Sequence, residues 1–89
     1  MIFLSVFERT ETFKRQYREL PFKIQKKFYK VLRLFQTNFR HPSLHCKKIQ
    51  GAQHGEWEGR VDRRYRFVFE WIPDGVRFLA IGPHDVIER

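Results

Sequence analysis

The chain has 89 residues, enough for one domain, and carries 18 Lys and Arg residues against 10 Asp and Glu residues. The net charge of +8 is concentrated in residues 1–50, which carry 12 basic and 3 acidic side chains. Such an excess points to a polyanion or to an acidic protein partner. A single cysteine, Cys46, excludes an intrachain disulfide. The apolar stretch at residues 1–7 is too short for a signal peptide or membrane span, so we expect a soluble, cytoplasmic protein.

The first half of the chain predicts one strand and two helices. We expect residues 2–8 to form a mostly buried strand, because apolar residues occupy nearly every position. Thr10 is a suitable N-cap for a helix over residues 11–20. Pro21 ends that helix and can lie in the first turn of a second one, over residues 22–38. Apolar residues recur at helical spacing along the second helix and define its buried face: Ile24, Phe28, Val31, Leu32 and Phe35.

The opposite face of the second helix is basic. Its cationic residues are Lys23, Lys26, Lys27, Lys30 and Arg33. Such a face is often only solvated, but it could also dock RNA phosphates or an acidic segment of a partner. The sequence leaves these interpretations open.

The second half of the chain predicts short strands joined by turns. Residues 39–46 contain a proline that prevents further helix, and we interpret them as a loop. A short strand over residues 47–50 and a turn at residues 51–55 follow. The sequence Pro73-Asp74-Gly75 predicts a tight turn in which the glycine supplies a positive φ. Residues 76–82 form the last strand.

Residues 57–71 predict a hairpin, because apolar and charged residues alternate along two strands. A two-residue loop would pair apolar with charged residues, whereas a three-residue loop gives both strands one common apolar face. That register pairs Val61 with Tyr65, Gly59 with Phe67 and Trp57 with Phe69. It also sets Arg60 opposite Arg66, where like charges are unfavourable. Either this face of the sheet is simply exposed to solvent, or an anion binds between the two arginines.

The element order is β-α-α-β-β-β-β, which makes the fold α+β. We expect an N-terminal strand, a helical hairpin and a four-stranded antiparallel meander, with the helices packed on one face of the sheet. No repeat, linker or low-complexity tract divides residues 1–89, so the sequence predicts a single domain.

Four residues are candidate zinc ligands: His41, His45, Cys46 and His54. Their spacing matches no common zinc pattern, and a proline spoils the helix that would align the first two. We therefore expect no metal and no other cofactor. The thiol of Cys46 fits a small packing residue better than a nucleophile.

The remaining groups with acid–base or phosphate chemistry are gathered near the hairpin: Glu58, Arg60, Arg66 and His84. They come together if the last strand pairs with the strand at residues 65–72. Arginines that neutralise a phosphate and an imidazole that titrates near neutral pH are what metal-free RNA cleavage requires. A single histidine near a chain end is more often an ordinary surface residue. The interpretation of His84 as catalytic therefore depends on its position beside the two arginines.

The element order and a series of short motifs resemble the toxins of the RelE/ParE superfamily of type II toxin–antitoxin systems. The motifs are His41-Pro42-Ser43-Leu44, Lys48-Ile49-Gln50-Gly51, Trp57-x-x-Arg60-Val61, Tyr65-Arg66-Phe67-Val68-Phe69 and Ile81-Gly82-x-His84-Asp85. The resemblance covers the whole chain. It implies a toxin that a small antitoxin neutralises by wrapping its surface. RelE-like members cleave mRNA on the ribosome without a metal and leave a 2′,3′-cyclic phosphate.

The resemblance also implies roles for particular residues. Arg66 falls on the arginine that contacts the scissile phosphate, Arg60 on a neighbouring basic position, and His84 on the catalytic histidine of several nucleases. Glu58 replaces a lysine of the best-known branch and could serve as a base. A second set would hold the RNA or ribosome backbone: Lys47, Lys48, Lys26, Lys27 and Lys30.

Two alternatives stay open. Many nuclease members carry a tyrosine near the C-terminus, whereas His84 is followed here by Asp85-Val86-Ile87. ParE-like toxins share the fold, poison DNA gyrase and do not need the catalytic residues. A domain that binds RNA or antitoxin without cutting RNA is the other alternative.

Overall fold

The computed structural model describes residues 5–51 and 55–87. Within these residues the chain forms five strands and three α-helices, with a 3-10 turn at Pro42–Leu44. The elements are β1 (Val6–Arg9), α1 (Glu11–Arg18), α2 (Phe22–Thr37), β2 (Lys47–Lys48), β3 (Trp57–Arg60), β4 (Tyr65–Ile72), β5 (Gly75–Pro83) and α3 (His84–Ile87). The strands form one sheet in the order β1-β5-β4-β3-β2. Only the β1–β5 pair is parallel among the described strands, so the α+β meander is confirmed.

The two long helices begin where their caps predict and end slightly earlier. The hydroxyl of Thr10 accepts a hydrogen bond from the backbone N–H of Phe13 at 3.1 Å and so caps α1. Pro21 is the N-cap residue of α2, just outside its first turn. The first helix ends at Arg18 and the second at Thr37, against predicted ends at residues 20 and 38.

The core is a cluster of phenylalanine rings between the helices and one face of the sheet. Phe28 and Phe35 of α2 meet Phe67 and Phe69 of β4, with ring centroids 5.5 Å apart for Phe28–Phe67 and 5.1 Å for Phe35–Phe69. Edge-to-face pairs of this kind add about 0.5–1.5 kcal/mol each beyond the burial of their area. Gly59 lies under Phe67, and a Cβ atom there would collide with that ring. Because side chains alternate along a strand, the residues between the buried phenylalanines point to the opposite face of the sheet.

The expectation of a mostly buried first strand is wrong for the part of that strand that the structure describes. Strand β1 covers residues 6–9, where only Phe7 is partly buried, and Val6 is 36% exposed. Strand β1 lies at one edge of the sheet, so only one of its neighbours can cover it. Residues 2–4 lie outside the described residues.

The turn between β4 and β5 is present, but its geometry differs from the prediction. Asp74 adopts the positive φ of 65°, and Gly75 is the first residue of β5. The glycine is needed for a different reason: a Cβ atom at Gly75 would collide with the carbonyl oxygen of Val6 in β1. Asp and Asn tolerate this region better than most residues, so the turn has no need of glycine at that point.

The remaining loops refine the predicted boundaries. The predicted loop at residues 39–46 contains the 3-10 turn, and strand β2 is two residues long instead of four. The predicted turn at residues 51–55 lies partly outside the described residues. The last strand extends to Pro83, and a short helix starts at His84.

Candidate active site

The β3–β4 hairpin has the predicted three-residue loop, and Asp62 fixes its shape. The Oδ1 atom of Asp62 accepts hydrogen bonds from the backbone N–H groups of Arg64 and Tyr65, both at 2.9 Å. Partial burial raises the pKa of Asp62, but these two bonds and the nearby Lys27 ammonium outweigh it and leave that pKa below its usual value. The loop is therefore held by a carboxylate that is ionised at neutral pH.

The predicted register is confirmed in every pair of β3 and β4, including Arg60 opposite Arg66. The side chain of Arg66 is 13% exposed and curls back over the loop. Its Nη1 atom donates to the carbonyl oxygens of Asp62 at 2.9 Å and Arg63 at 3.0 Å. These bonds leave the guanidinium charged and in a fixed position, because neutral carbonyl acceptors do not cancel its charge.

Arg60 is the less satisfied partner of the pair. Its Nε atom is buried and has no hydrogen-bond partner among the described residues. Leaving a buried donor unpaired costs about 1–3 kcal/mol, more for a charged group. On the same face of the sheet, Arg77 is neutralised by Glu8 at 2.9 Å and Glu70 at 2.7 Å. Arg77 is thus neutralised by two carboxylates, whereas Arg60 lies opposite another cation, Arg66.

One carboxylate lies close to the arginine pair. The Oε2 atom of Glu58 is 3.9 Å from Nε of Arg66, and the Glu58 side chain is 14% exposed. This separation is too long for a hydrogen bond, so the contact is a loose ion pair. Glu58 therefore balances part of the positive charge of the arginine pair.

The arginine pair lines a cleft of about 460 Å³. The cleft is lined by His45, Cys46, Lys47, Glu58, Arg60, Arg66 and His84. The structure therefore brings together all four residues predicted to be catalytic, and adds Lys47 from the predicted backbone-binding set. Three permanent cations and two imidazoles face one carboxylate, which is a composition suited to a phosphate group.

His84 reaches the cleft because β5 pairs with β4, as predicted. Pro83 lies opposite Tyr65, and the backbone N–H of His84 donates to the carbonyl oxygen of Arg64 at 2.8 Å. This bond ties the start of α3 to the hairpin loop. The imidazole is exposed and also borders a shallow depression beside Arg63 and Arg64.

The sequence did not single out His45 for phosphate chemistry, and the structure places it in the cleft. His45 follows the 3-10 turn with φ 48° and ψ 40°, a left-handed conformation that few residues other than glycine adopt. The strand pair that follows sets Lys47 opposite Glu58, which puts residues 45–47 along the cleft wall. The only signal in the sequence was the short distance from His45 to a strand.

Cys46 behaves as the packing residue that its sequence context predicts. Its side chain packs against the hydrophobic core, and burial raises the pKa of the thiol to about 11. The thiol is therefore protonated at neutral pH and is a poor nucleophile. Among the described residues, no three His, Cys, Asp or Glu side chains are grouped as metal ligands. His54, the fourth candidate zinc ligand, lies outside those residues.

The other predicted backbone-binding lysines lie away from the cleft. Lys48 pairs with Trp57, on the opposite face of the β2–β3 ribbon from Lys47. Lys27 forms an ion pair with Asp62 at 3.3 Å, and Lys26 lies 5.5 Å from the ring centroid of Phe22. These two and Lys30 are on α2, which packs on the face of the sheet opposite to the arginine pair. Any contact of α2 with RNA or a partner would use a separate surface.

Solved structures show which known proteins share this arrangement of strands and helices. YafQ in the Escherichia coli DinJ–YafQ toxin–antitoxin complex superimposes with a TM-score of 0.79 and 13% identity, over 97% of this chain and 99% of that one. The RelB–RelE antitoxin–toxin complex from Methanococcus jannaschii gives a TM-score of 0.71 and 21% identity, over 90% and 93%. The chain has the fold of the RelE-like toxins.

A third similar structure is the YoeB dimer from Staphylococcus aureus. It has a TM-score of 0.74 and 14% identity, over 91% of this chain and 98% of that one. No family model matches the sequence, and no curated protein is significantly similar to it in sequence. The superpositions establish the RelE-like fold. Because the sequence identities are so low, the activity must be argued from the cleft.

Proposed function

We propose that this protein is the toxin of a type II toxin–antitoxin system and acts as a metal-independent endoribonuclease that cuts mRNA on the ribosome. The observation that carries the proposal is the placement of Arg60 opposite Arg66 in a cleft that also holds imidazoles. The buried Nε–H of Arg60 has no acceptor among the described residues, and a phosphate oxygen would accept a hydrogen bond from it. The RelE-like fold supports the same conclusion.

The cleft can support transesterification at an RNA phosphate. The ribose 2′-oxygen attacks the adjacent phosphorus and loses its proton to a base, while the 5′-oxygen leaves and gains a proton from an acid. The products are a 2′,3′-cyclic phosphate and a 5′-hydroxyl. Arg60 and Arg66 hold the non-bridging oxygens and stabilise the charge that develops on them in the transition state. The protein supplies no nucleophile, since the RNA carries its own.

His84 is the general acid or base in this proposal, because its imidazole lines the same cleft as the arginine pair and imidazole is the side chain most often used for proton transfer. The complementary proton transfer belongs to Glu58 or to His45, which line the same cleft. Glu58 is already engaged with Arg66 at 3.9 Å, whereas His45 offers a second imidazole. Lys47 adds a further positive charge at the cleft edge.

A second surface fits the proposed antitoxin. An apolar groove of about 430 Å³ runs between α1, α2 and β5, and aromatic residues such as Tyr17 and Phe78 line it. Three cations also line it: Arg9, Lys14 and Arg18. Tyr29 lines the same groove and is 61% exposed. We propose that an amphipathic antitoxin segment with acidic flanks occupies this groove. An apolar groove with a basic rim favours such a segment over RNA, which would gain little from the aromatic floor.

The proposal is tested by adding the purified protein to a translating cell-free extract and mapping RNA ends by primer extension. Cuts within translated reading frames, with cyclic phosphates at the upstream fragments, are expected. Intact mRNA would overturn the nuclease proposal. A DNA supercoiling assay on the same preparation would then distinguish a gyrase-directed toxin from a domain that only binds RNA or antitoxin.

A further inference from the structure

A second pocket adjoins the cleft and shares a wall with it. This pocket has a volume of about 320 Å³, and His45 and Cys46 line both cavities. Its other lining residues are Phe39, Arg40, His41, Pro42 and Trp57. The volume is at the lower end of the range of about 300–1,000 Å³ that is typical of small-molecule sites. The phosphate chemistry proposed for the cleft does not use this pocket.

The walls of this pocket are aromatic and fixed by ring contacts. The guanidinium carbon of Arg40 lies 5.1 Å from the ring centroid of Phe39. The ring centroids of Phe39 and Trp71 are 5.0 Å apart in a T-shaped pair, and the ring of Trp57 packs at 84° against Trp71 at 5.9 Å. A flat cation backed by an aromatic ring, in a pocket that an indole also lines, is a surface on which planar π-systems stack.

The loop that closes the pocket is held in a conformation that local preference does not favour. The 3-10 turn is closed by the bonds from Leu44 N–H to His41 oxygen at 3.0 Å and from His45 N–H to Pro42 oxygen at 3.2 Å. Nδ1 of His41 accepts the N–H of Ser43 at 3.2 Å, which assigns the ring proton of neutral His41 to Nε2. His45 then takes its left-handed conformation on the wall between the two cavities. Strain of this kind persists where surrounding contacts over-determine it, and it is concentrated at binding sites.

We propose that this pocket, called the base pocket below, binds the nucleobase of a nucleotide next to the scissile phosphate. The inference rests on the proposed function, since it takes the cleft to be the phosphate site. A nucleic acid presents a phosphate and a planar base on adjacent positions of one chain, and the two cavities, one lined by cations and the other by aromatic residues, share His45 and Cys46. Arg40 and Trp57 are the stacking residues, and His41 Nε2–H is a donor for the edge of the base. The base pocket gives the protein a nucleotide preference of its own.

The test uses RNA trinucleotides with a 2′-O-methyl group at every position, which cannot be cut, and matched versions that lack one base. Dissociation constants are measured by ¹H–¹⁵N NMR titration, with the indole N–H of Trp57 as the local probe. Removing the base at one position should weaken binding by about tenfold and abolish the shift of the Trp57 signal. Arg40→Ala should remove that difference and retain binding of the abasic trinucleotide, whereas Arg15→Ala, an exposed arginine on α1, should change neither.

The outcomes separate the base pocket from the phosphate cleft. Equal affinity for the complete and abasic trinucleotides, or a base-dependent gain that survives Arg40→Ala, would overturn the base pocket, even if Arg66→Ala weakens all binding. A base-dependent gain that is lost in Arg40→Ala, together with an overall affinity that is unchanged in Arg66→Ala, would support the base pocket and contradict the phosphate cleft. Failure of every trinucleotide to bind would overturn both.

Discussion

Arg60 lies directly across the β3–β4 ladder from Arg66, and the buried Nε of Arg60 has no partner among the described residues. Two like charges in this position destabilise the folded chain, and the unpaired donor adds to that cost. A bound phosphate removes both penalties at once. These two penalties support the proposal that the pair is a preformed anion site, which would cost the fold some stability.

Replacing Arg60 should make the protein more stable and weaken its binding of phosphate. Arg60→Met keeps most of the side-chain volume but removes the repulsion and the unpaired donor, so we expect it to stabilise the protein by about 1 kcal/mol. Inorganic phosphate should raise the melting temperature of the wild type and have a smaller effect on the variant. Thermal unfolding with and without phosphate measures both. A variant that is less stable and equally responsive to phosphate would contradict the anion site.

Asp62 should matter for stability through the hairpin loop. Asp62→Ala removes the acceptor of two backbone N–H groups, and we expect it to cost about 1–2 kcal/mol. Asp62→Asn keeps an acceptor and should cost less. Because the pKa of Asp62 is below its usual value, its charge-dependent stabilisation is complete above the unfolded-state pKa and is lost as pH falls through the folded-state pKa. Denaturant unfolding of both variants across acidic pH should show that the Asn variant lacks this component.

His84 should affect the rate of RNA cleavage much more than the affinity for RNA. His84→Gln keeps the backbone N–H that donates to Arg64, so the fold should persist while cleavage falls by about 100-fold or more. The pH dependence of cleavage should also lose one limb. His45→Gln, measured alongside, shows which imidazole performs the second proton transfer. An unchanged rate and pH profile in the His84 variant would remove it from the mechanism.

The lysines of α2 should influence binding without altering chemistry. A triple change of Lys26, Lys27 and Lys30 to glutamine removes three positive charges, so it should weaken association with the ribosome or the antitoxin and reduce its salt dependence. These lysines lie outside the cleft, so the chemistry there should not change. Single-turnover cleavage of bound mRNA should stay the same. If neither affinity changes, this face of α2 is simply solvated. Lys27→Gln alone also tests the exposed ion pair with Asp62, which should contribute little to stability.

The hairpin and the helices were predictable because local pattern determines them. Alternation fixed the register of Arg60 and Arg66, since any shift by one residue would have exposed the phenylalanines. Helical spacing predicted Phe28 and Phe35 on the buried face of α2. The path of β5 followed from its turn with β4, which placed His84 near Arg66.

Other features depended on contacts between distant parts of the chain. Gly75 was interpreted as a turn residue, yet its role is the close approach of Val6, 69 positions earlier in the sequence. The exposure of β1 depends on its position at the sheet edge, which a run of apolar residues does not reveal. His45 joins the cleft through the β2–β3 pairing and a left-handed backbone, and no periodic pattern indicates either.

The most direct test of the central claim compares wild type, Arg66→Ala and Arg15→Ala in one translating extract, with mRNA ends mapped by primer extension. Arg66 is fixed over the cleft by loop carbonyl oxygens, and Arg15 is an exposed arginine on α1. We predict cuts within translated reading frames for wild type and Arg15→Ala, and their loss in an Arg66→Ala variant that unfolds at the wild-type temperature. Equal cleavage by a folded Arg66→Ala variant, or intact mRNA with wild type, would contradict the account.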